Sequence, residues 1–163
     1  MKRKRSFRRA QAGFSLIELL IVVAIIAILA TVAVPKLLES LRTGRESAAM
    51  QTLKTIHNSQ ATYIGTKQRF GTLKELSEAK LLDANYVNGV PVSGYKYTSD
   101  AEVTQDKYCV QATRQASSTA SKDFNVIEDG TIRFIESNNP SPIPHGEGTP
   151  LAGAGSTPGS SAQ

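Results

Sequence analysis

The chain begins with two segments of opposite character. Residues 1–13 are polar and basic, whereas residues 14–34 are almost entirely apolar, interrupted only by Ser15, Glu18 and Thr31. As an α-helix the apolar segment would span about 31 Å, at about 1.5 Å per residue, which is close to the thickness of a bilayer core. It is apolar on every face, as expected for a lipid-embedded helix. We therefore predict a transmembrane helix over 14–34.

The apolar pattern changes after Pro35. Over 35–65, apolar residues recur mostly at three- or four-residue steps, which predicts an amphipathic helix with one buried stripe. The simplest arrangement is one long helix from about Phe14 to about Ile64. Pro35 would then lie inside the helix and kink or loosen it, because proline lacks the amide donor and clashes with the preceding turn. The predicted stripe is Leu38, Leu41, Ala48, Ala49, Leu53, Ile56, Ala61 and Ile64.

Residues 66–137 have the pattern of a small globular domain. Thr72 and Glu75 have the spacing of a capping box, which predicts a short helix through about Leu82. Asp129-Gly130, between alternating apolar residues, is a strong hairpin signal. The predicted fold class is α+β: a long N-terminal helix, apolar in its first half and packed in its second, against a small antiparallel sheet. Its strands are predicted at 95–99, 107–113, 124–128 and 131–135.

The C-terminal segment, residues 138–163, differs in composition from everything before it. It is rich in Pro, Gly and Ser. Such a composition offers little apolar surface to bury, so burial cannot compensate for the conformational entropy that the chain would lose on ordering. We therefore predict a disordered tail, or one laid loosely on the surface.

Charge is concentrated at the N-terminus. The net charge is +5 at pH 7, and six of the 19 basic side chains lie in residues 1–13, which contain no acid. The other 13 basic side chains are balanced by 14 acidic ones, a difference of −1. A nucleic-acid-binding surface should lie on the folded domain. The distribution therefore argues against nucleic acid as a partner.

The sequence carries no recognisable catalytic constellation. It lacks G-x-S-x-G, a P-loop, Cys-x-x-Cys and His-Glu-x-x-His. His57 and His145 lie far apart with no ligand at metal-binding spacing. Cys109, the one cysteine, sits among alternating apolar residues and is interpreted as a small buried side chain, with an intermolecular disulfide as the alternative. We predict no enzymatic activity, no cofactor and no metal site.

Two ordinary interpretations of residues 1–34 leave Glu18 unexplained. A secretory signal, with a candidate cleavage site at Thr31-Val32-Ala33, would have an apolar region of about 7–15 residues and no acid in it. A plain anchor would keep residues 1–13 cytoplasmic and the C-terminal domain outside. That orientation is sound, but the anchor gives Glu18 no role, although a carboxylate in hydrocarbon costs about 2.5–3.5 kcal/mol.

A third interpretation rests on residues 13–20, Gly13-Phe14-Ser15-Leu16-Ile17-Glu18-Leu19-Leu20, followed by the apolar run and Pro35. This pattern closely resembles the class III leader of type IV pilins and type II secretion pseudopilins. The resemblance implies that a prepilin peptidase cuts between Gly13 and Phe14 on the cytoplasmic side and methylates the new amine of Phe14. Residues 1–13 would then be a basic leader peptide, and the apolar helix would stay as the anchor.

The resemblance implies a pilin-like fold and gives Glu18 a role. Glu18 of an incoming subunit would attract the amine of Phe14 in a neighbouring subunit and set the axial register of the helices. The implied partners are further copies of this chain and other pilins in a helical filament, the prepilin peptidase and methyltransferase, the inner-membrane assembly platform and membrane lipid. The implied location is the bacterial inner membrane, single-pass with the C-terminal domain extracytoplasmic, and then the pilus at the cell surface.

Alternatives stay open beside a pilus subunit. One is a pseudopilin in the periplasmic pseudopilus of a type II secretion system, and another is a membrane-anchored extracytoplasmic binding protein that does not polymerise. For Pro35 the resemblance implies a flexible or partly melted helix segment, as an alternative to a simple kink. Some secretion pseudopilins bind calcium near the C-terminus. Asp123, Glu128 and Asp129 are the residues that suggest it here, but the Asp-Gly turn explains Asp129 without metal.

Overall fold

The fold is α+β, as predicted, with one long helix and a five-stranded antiparallel sheet. The computed structural model describes residues 14–100 and 103–151; the predicted leader and residues 152–163 of the predicted tail lie outside these ranges. The elements are α1 (Leu16–Lys67), α2 (Leu73–Glu78), a short 3₁₀ helix (Ala84–Tyr86), β1 (Tyr95–Ser99), β2 (Cys109–Arg114), β3 (Lys122–Ile127), β4 (Ile132–Glu136) and β5 (Thr149–Pro150).

The predicted long helix is confirmed as α1, which includes Pro35 in its interior. The chain divides within α1, between Glu39 and Ser40, into two compact units. The first unit contributes no residue to the hydrophobic core. The second unit, called the globular unit below, contains the C-terminal part of α1 and the whole sheet.

Helix α1 buries only the C-terminal part of the predicted stripe. Ala49, Leu53 and Ile56 are fully buried and share one core with the sheet residues Tyr95, Val110, Phe124 and Val126. Leu38 and Leu41, by contrast, are about half exposed, and Ala61 is exposed. The prediction was wrong for Leu38 and Leu41, because helical spacing identifies a face but not how far along it a domain packs. It was wrong for Ala61 because the buried face continues through Gln60 and Tyr63 instead.

A polar contact fixes the chain where α1 ends. Gln60, fully buried, donates from Nε2 to the carbonyl of Gly71 at 2.6 Å and accepts from the Gly71 N–H at 2.9 Å. The Tyr63 ring packs so closely on Gly71 that a Cβ there would lie 2.9 Å from Tyr63 Cε1. Both backbone groups of Gly71 are therefore satisfied in the interior, as buried polar groups must be.

The predicted capping box begins α2. The Thr72 hydroxyl accepts the Glu75 N–H at 3.3 Å, and the Glu75 carboxylate accepts the Thr72 N–H at 2.8 Å. A hydrogen bond from Arg69, with that of the Thr72 N–H, lowers the pKa of Glu75 to about 2. The helix ends at Glu78 rather than near Leu82, because Lys80 turns to a left-handed φ of 59°.

The sheet is a meander in the order β1-β2-β3-β4-β5. The predicted Asp-Gly hairpin joins β3 and β4: Gly130 has a φ of 72°, and its N–H donates to the carbonyl of Ile127 at 3.0 Å. In β2 and β3 successive residues point to opposite faces, yet nearly all are buried. Both faces of the central strands are therefore covered, one of them by the core with α1.

The other face is covered by part of the predicted tail, and this corrects the prediction. Ile143 is 1% exposed, and β5 pairs with β4 through Arg133↔Pro150 and Phe134↔Thr149. Asn125 on β3 donates to backbone carbonyls of the same segment. Of the two predicted states, disorder is wrong for residues 138–151; the segment lies on the surface, but it is fixed there by Ile143, β5 and Asn125, which composition does not register.

Substitution by alanine should change the stability of the protein in opposite directions at Gly71 and Gly65, although each glycine precedes a threonine. Gly71→Ala should lower the free energy of unfolding by about 1–3 kcal/mol, because the new methyl group would overlap the Tyr63 ring. Gly65→Ala, inside α1 with nothing near its Cβ position, should raise it by up to about 1 kcal/mol. Urea unfolding of the full chain in detergent, followed by circular dichroism, measures both, and equal stability of the two variants would contradict the packing described here.

Candidate functional site

The N-terminal turn of α1 is closed by its own side chains. The Ser15 N–H donates to Oε2 of Glu18 at 2.9 Å, and the Ile17 N–H donates to the Ser15 hydroxyl at 3.3 Å. This is the reciprocal arrangement of a capping box, except that the hydroxyl takes the second helical N–H rather than the third. The Ser-x-x-Glu spacing was visible in the sequence, and the sequence analysis missed it.

The cap gives Glu18 a role within its own chain. The carboxylate lies in the first turn, where the exposed N–H groups of a helix favour negative charge. Within its own chain Glu18 already accepts one of these N–H groups. A plain anchor therefore does give Glu18 a role, as a helix cap, and that role must be separated experimentally from any role between chains.

The apolar segment that follows this turn is exposed in the part of the chain that the structure describes. Every large apolar side chain from Phe14 to Val34 is between 47% and 87% exposed, Phe14 itself being 83% exposed. Helix α1 is long and apolar enough to cross a membrane. Exposed apolar patches of this size indicate contact with a membrane or with other proteins.

Pro35 leaves one carbonyl of the α1 backbone without its regular hydrogen-bond partner. Pro35 has no N–H, so the carbonyl of Thr31, four residues earlier, has no partner from the regular helix pattern. The Thr31 hydroxyl donates to a different carbonyl, that of Ile28, at 2.7 Å. The predicted kink or melted segment at Pro35 stays a prediction.

The acidic residues that suggested calcium are each paired with a different base. Asp123 contacts Arg114 at 3.3 Å, Glu128 contacts His145 at 2.9 Å and Asp129 contacts Arg133 at 2.7 Å. Over residues 14–100 and 103–151 there is no group of three or more side chains placed to hold a metal ion.

The remaining candidate residues are engaged inside the globular unit. His57 Nδ1 lies 2.6 Å from the Tyr108 hydroxyl. Cys109 is buried, and burial, with smaller effects of neighbours such as Asp100, raises the pKa of its thiol to about 12. A thiol with so high a pKa is unreactive at neutral pH.

Comparisons with known proteins address the N-terminal segment directly. The family model of the prokaryotic N-terminal methylation motif matches residues 8–34, a range that includes Gly13, Phe14 and Glu18. The type IV major pilin protein PilA of Myxococcus xanthus (strain DK1622) is 33% identical over 91 residues, which are 56% of this chain. The chain is type IV pilin-like.

The likeness to the relative is partial. The aligned residues cover 37% of the length of the Myxococcus xanthus pilin. Gly13, the predicted cleavage position, lies outside the residues that the structure describes. Phe14 and Glu18 of the type IV pilin-like chain lie at the exposed start of α1, within one capped turn.

Restoring the missing donor at Pro35 should stabilise this helix locally. Pro35→Ala supplies an N–H to the Thr31 carbonyl, and should raise the local helix stability by up to about 3 kcal/mol. Amide hydrogen exchange of the full chain in detergent should slow in the turns around residue 35. Val34→Ala, which leaves the ladder unchanged, is the control, and identical exchange in both variants would show that Pro35 does not loosen the helix.

Proposed function

We propose that this chain is a structural subunit of a type IV pilus-like filament, processed by a prepilin peptidase between Gly13 and Phe14. The observation that carries the proposal is the N-terminal methylation motif on a segment whose large apolar side chains, from Phe14 to Val34, are all exposed. No substrate chemistry is assigned to the globular unit; the chain is instead the substrate of the peptidase. The name of the Myxococcus xanthus relative, a type IV major pilin, supports a pilus.

The position of the cut suits this role. An ordinary signal peptidase would remove the apolar helix, whereas a cut before Phe14 keeps it as the anchor. It also creates a positive amine at Phe14, next to Ser15, whose N–H is bound by Glu18. The new amine and the carboxylate therefore belong to the same capped turn, at the start of an apolar helix.

Apolar packing alone cannot set the register of such helices. Lipid tails are as apolar as leucine, so association inside a bilayer depends on packing and on polar contacts. Glu18 is the one acidic residue between Phe14 and Val34. Its attraction to the Phe14 amine of a neighbouring subunit, at low dielectric, favours one axial offset among many similar ones.

The assembly proposed here determines the partners and the location. Before assembly the chain is held in the inner membrane, single-pass, with the globular unit outside the cytoplasm. There it contacts lipid and is bound by the prepilin peptidase and methyltransferase and by the assembly platform. Afterwards its partners are further copies of the chain and other pilins in a pilus. A pseudopilus of a type II secretion system and a membrane-anchored binding protein that does not polymerise are the competing functions.

The mature N-terminus tests the processing step. Intact mass and N-terminal analysis of the protein from native membranes and from sheared surface material should show a chain that starts at Phe14 and carries one methyl group. Abundance in the sheared material supports a pilus, and its absence there with correct processing supports a pseudopilus. A chain that starts at Met1, or one that starts at Val34, would overturn the proposal.

Two substitutions at Glu18 separate capping from charge. Glutamine can still accept the Ser15 N–H, so Glu18→Gln keeps the cap but removes the charge, whereas Glu18→Ala removes both. If charge sets the register, both variants should remain in the membrane and lose sheared filament at least about tenfold.

Ser15→Ala is the matched control for that experiment. It removes the hydroxyl that accepts the Ile17 N–H but keeps the Ser15 N–H that Glu18 binds, so filament yield should stay close to wild type. Normal assembly of Glu18→Gln with failure of Glu18→Ala would reduce Glu18 to a helix cap. Normal assembly of both would remove any function for the carboxylate in filament formation.

A further inference from the structure

The second face of the sheet is covered by a segment with one buried residue. We call residues 137–151 the strap; within it only Ile143 is buried. The strap covers the side of β2 and β3 that bears Cys109 and Asn125, opposite the side that packs with α1. Ile143, Cys109 and Ile127 are not members of the main hydrophobic core. Ile143 therefore docks on a small patch of its own, whereas Leu151, at the C-terminal end of the strap, is partly buried against the main core.

Prolines explain why the sheet holds the strap mainly through side-chain donors. Four of the 15 strap residues are proline, which has no N–H, so the backbone of the strap offers more acceptors than donors. The matching donors come from the sheet and its loops. Ser117 donates to the carbonyl of Asn138 at 2.7 Å, and the Cys109 thiol faces the carbonyl of Ile143 at 3.9 Å.

Asn125 is the central donor. Its Nδ2 lies 3.4, 3.0 and 3.4 Å from the carbonyl oxygens of Ile143, Pro144 and Glu147. The residue is fully buried, so these acceptors are desolvated together with it. The two N–H bonds of this amide are thus shared among three carbonyls of the strap, which would lose this donor with the side chain, whereas Oδ1 of Asn125 is buried without a hydrogen-bond partner among the described residues.

A buried ion pair holds the start of the strap. Arg114 and Asp123 are 0% and 1% exposed, with 3.3 Å between Nη1 and Oδ2. Nη2 of Arg114 donates to the carbonyl of Ser137 at 2.6 Å, and Oδ2 of Asp123 accepts the Ser141 N–H at 3.1 Å. Nη1 and Nη2 of Arg114 and both carboxylate oxygens of Asp123 therefore have partners, two of which belong to the strap, whereas Nε of Arg114 is buried without a hydrogen-bond partner among the described residues.

Polar contacts of this kind determine where the strap lies on the sheet, but they contribute little free energy to holding it there. A hydrogen bond exchanged for water has a small net effect, whereas the core with α1 buries many apolar side chains. Detachment of the strap would rehydrate its carbonyls, expose Ile143, uncover the partly buried Leu151 and break the short pairing of β5 with β4. We propose that the strap opens as a unit while the globular unit stays folded, and that its latch consists of Arg114, Asp123 and Asn125.

The docked strap shields two groups from other chains. It covers the Cys109 thiol through Ile143, and its β5 occupies part of the open edge of β4. An open strap frees both, the thiol for modification and the edge for pairing with another strand. Opening and closing of the strap would therefore control access to the sole cysteine of this sequence.

Thiol labelling of the full chain in detergent tests the proposal. Cys109 is the one cysteine, so addition of a single maleimide, followed by intact mass, reports its exposure. Labelling is measured at increasing urea concentrations below the unfolding transition. Local opening predicts a rate that is almost independent of urea. A rate that rises with the full urea dependence of global unfolding would overturn the proposal, because the thiol would then be exposed only by unfolding.

Variants on each side of the contact assign the latch. Asn125→Leu keeps the number and branching of the side-chain heavy atoms but removes the donor contacts, and should raise the labelling rate about 10- to 100-fold. Ile143→Ala lies on the strap itself, away from the main core, and should raise the rate at least about tenfold. Ser117→Ala, the control, removes one exposed contact and should change it less than about threefold. Wild-type labelling rates in both Asn125→Leu and Ile143→Ala would refute the latch.

Discussion

The constraint on which this chain depends is the uncovered apolar surface of α1. Every large apolar side chain from Phe14 to Val34 is about half exposed or more. Burial of such surface is favourable by about 25 cal/mol per Å², so an environment other than water must supply it. A bilayer and a bundle of identical helices both do so. Because both environments are apolar, the free energy of transferring the helix from one to the other is small, and the contribution of a few polar groups decides which is favoured.

In the proposed filament Glu18 would supply such a polar contribution, and its contact within the chain leaves it able to do so. A carboxylate has two oxygens and can accept several hydrogen bonds, of which the Ser15 N–H uses one, at Oε2. The cap holds the side chain at the start of the helix, where the amine of a processed chain would also lie. Orientation by the cap therefore reduces the conformational entropy that a contact with a second chain would otherwise cost.

Local patterns predicted the local features of the fold. Helix α1, the Thr72–Glu75 capping box and the Asp129-Gly130 turn each depend on residues close together in sequence, and each is present. The buried stripe was predicted too far toward the N-terminus, because Leu38 and Ala49 have the same periodicity but only Ala49 packs on the sheet. The Ser15–Glu18 cap was predictable from its spacing and was overlooked.

The features that sequence reasoning missed depend on contacts between distant residues. Asn125 and the strap carbonyls are 18 to 22 residues apart, and Gln60 and Gly71 are 11 apart. Asparagine and glutamine in a strand or helix are normally interpreted as surface residues, because burial requires partners that a local pattern cannot supply. Burial of a polar side chain is therefore a property of the assembled fold.

Polar side chains occupy comparable positions near the two ends of the described chain. Glu18 sits in a helix with little else to distinguish one register from another, and Asn125 and Arg114 hold a proline-rich segment with one apolar anchor. In both places the hydrophobic effect is non-directional and cannot choose a unique arrangement. Polar groups that lose free energy when left unpaired do make that choice, since alternative positions would leave them without partners. Their contribution is therefore to specificity, and both proposals, assembly through Glu18 and opening of the strap, require that one set of polar contacts be exchanged for another.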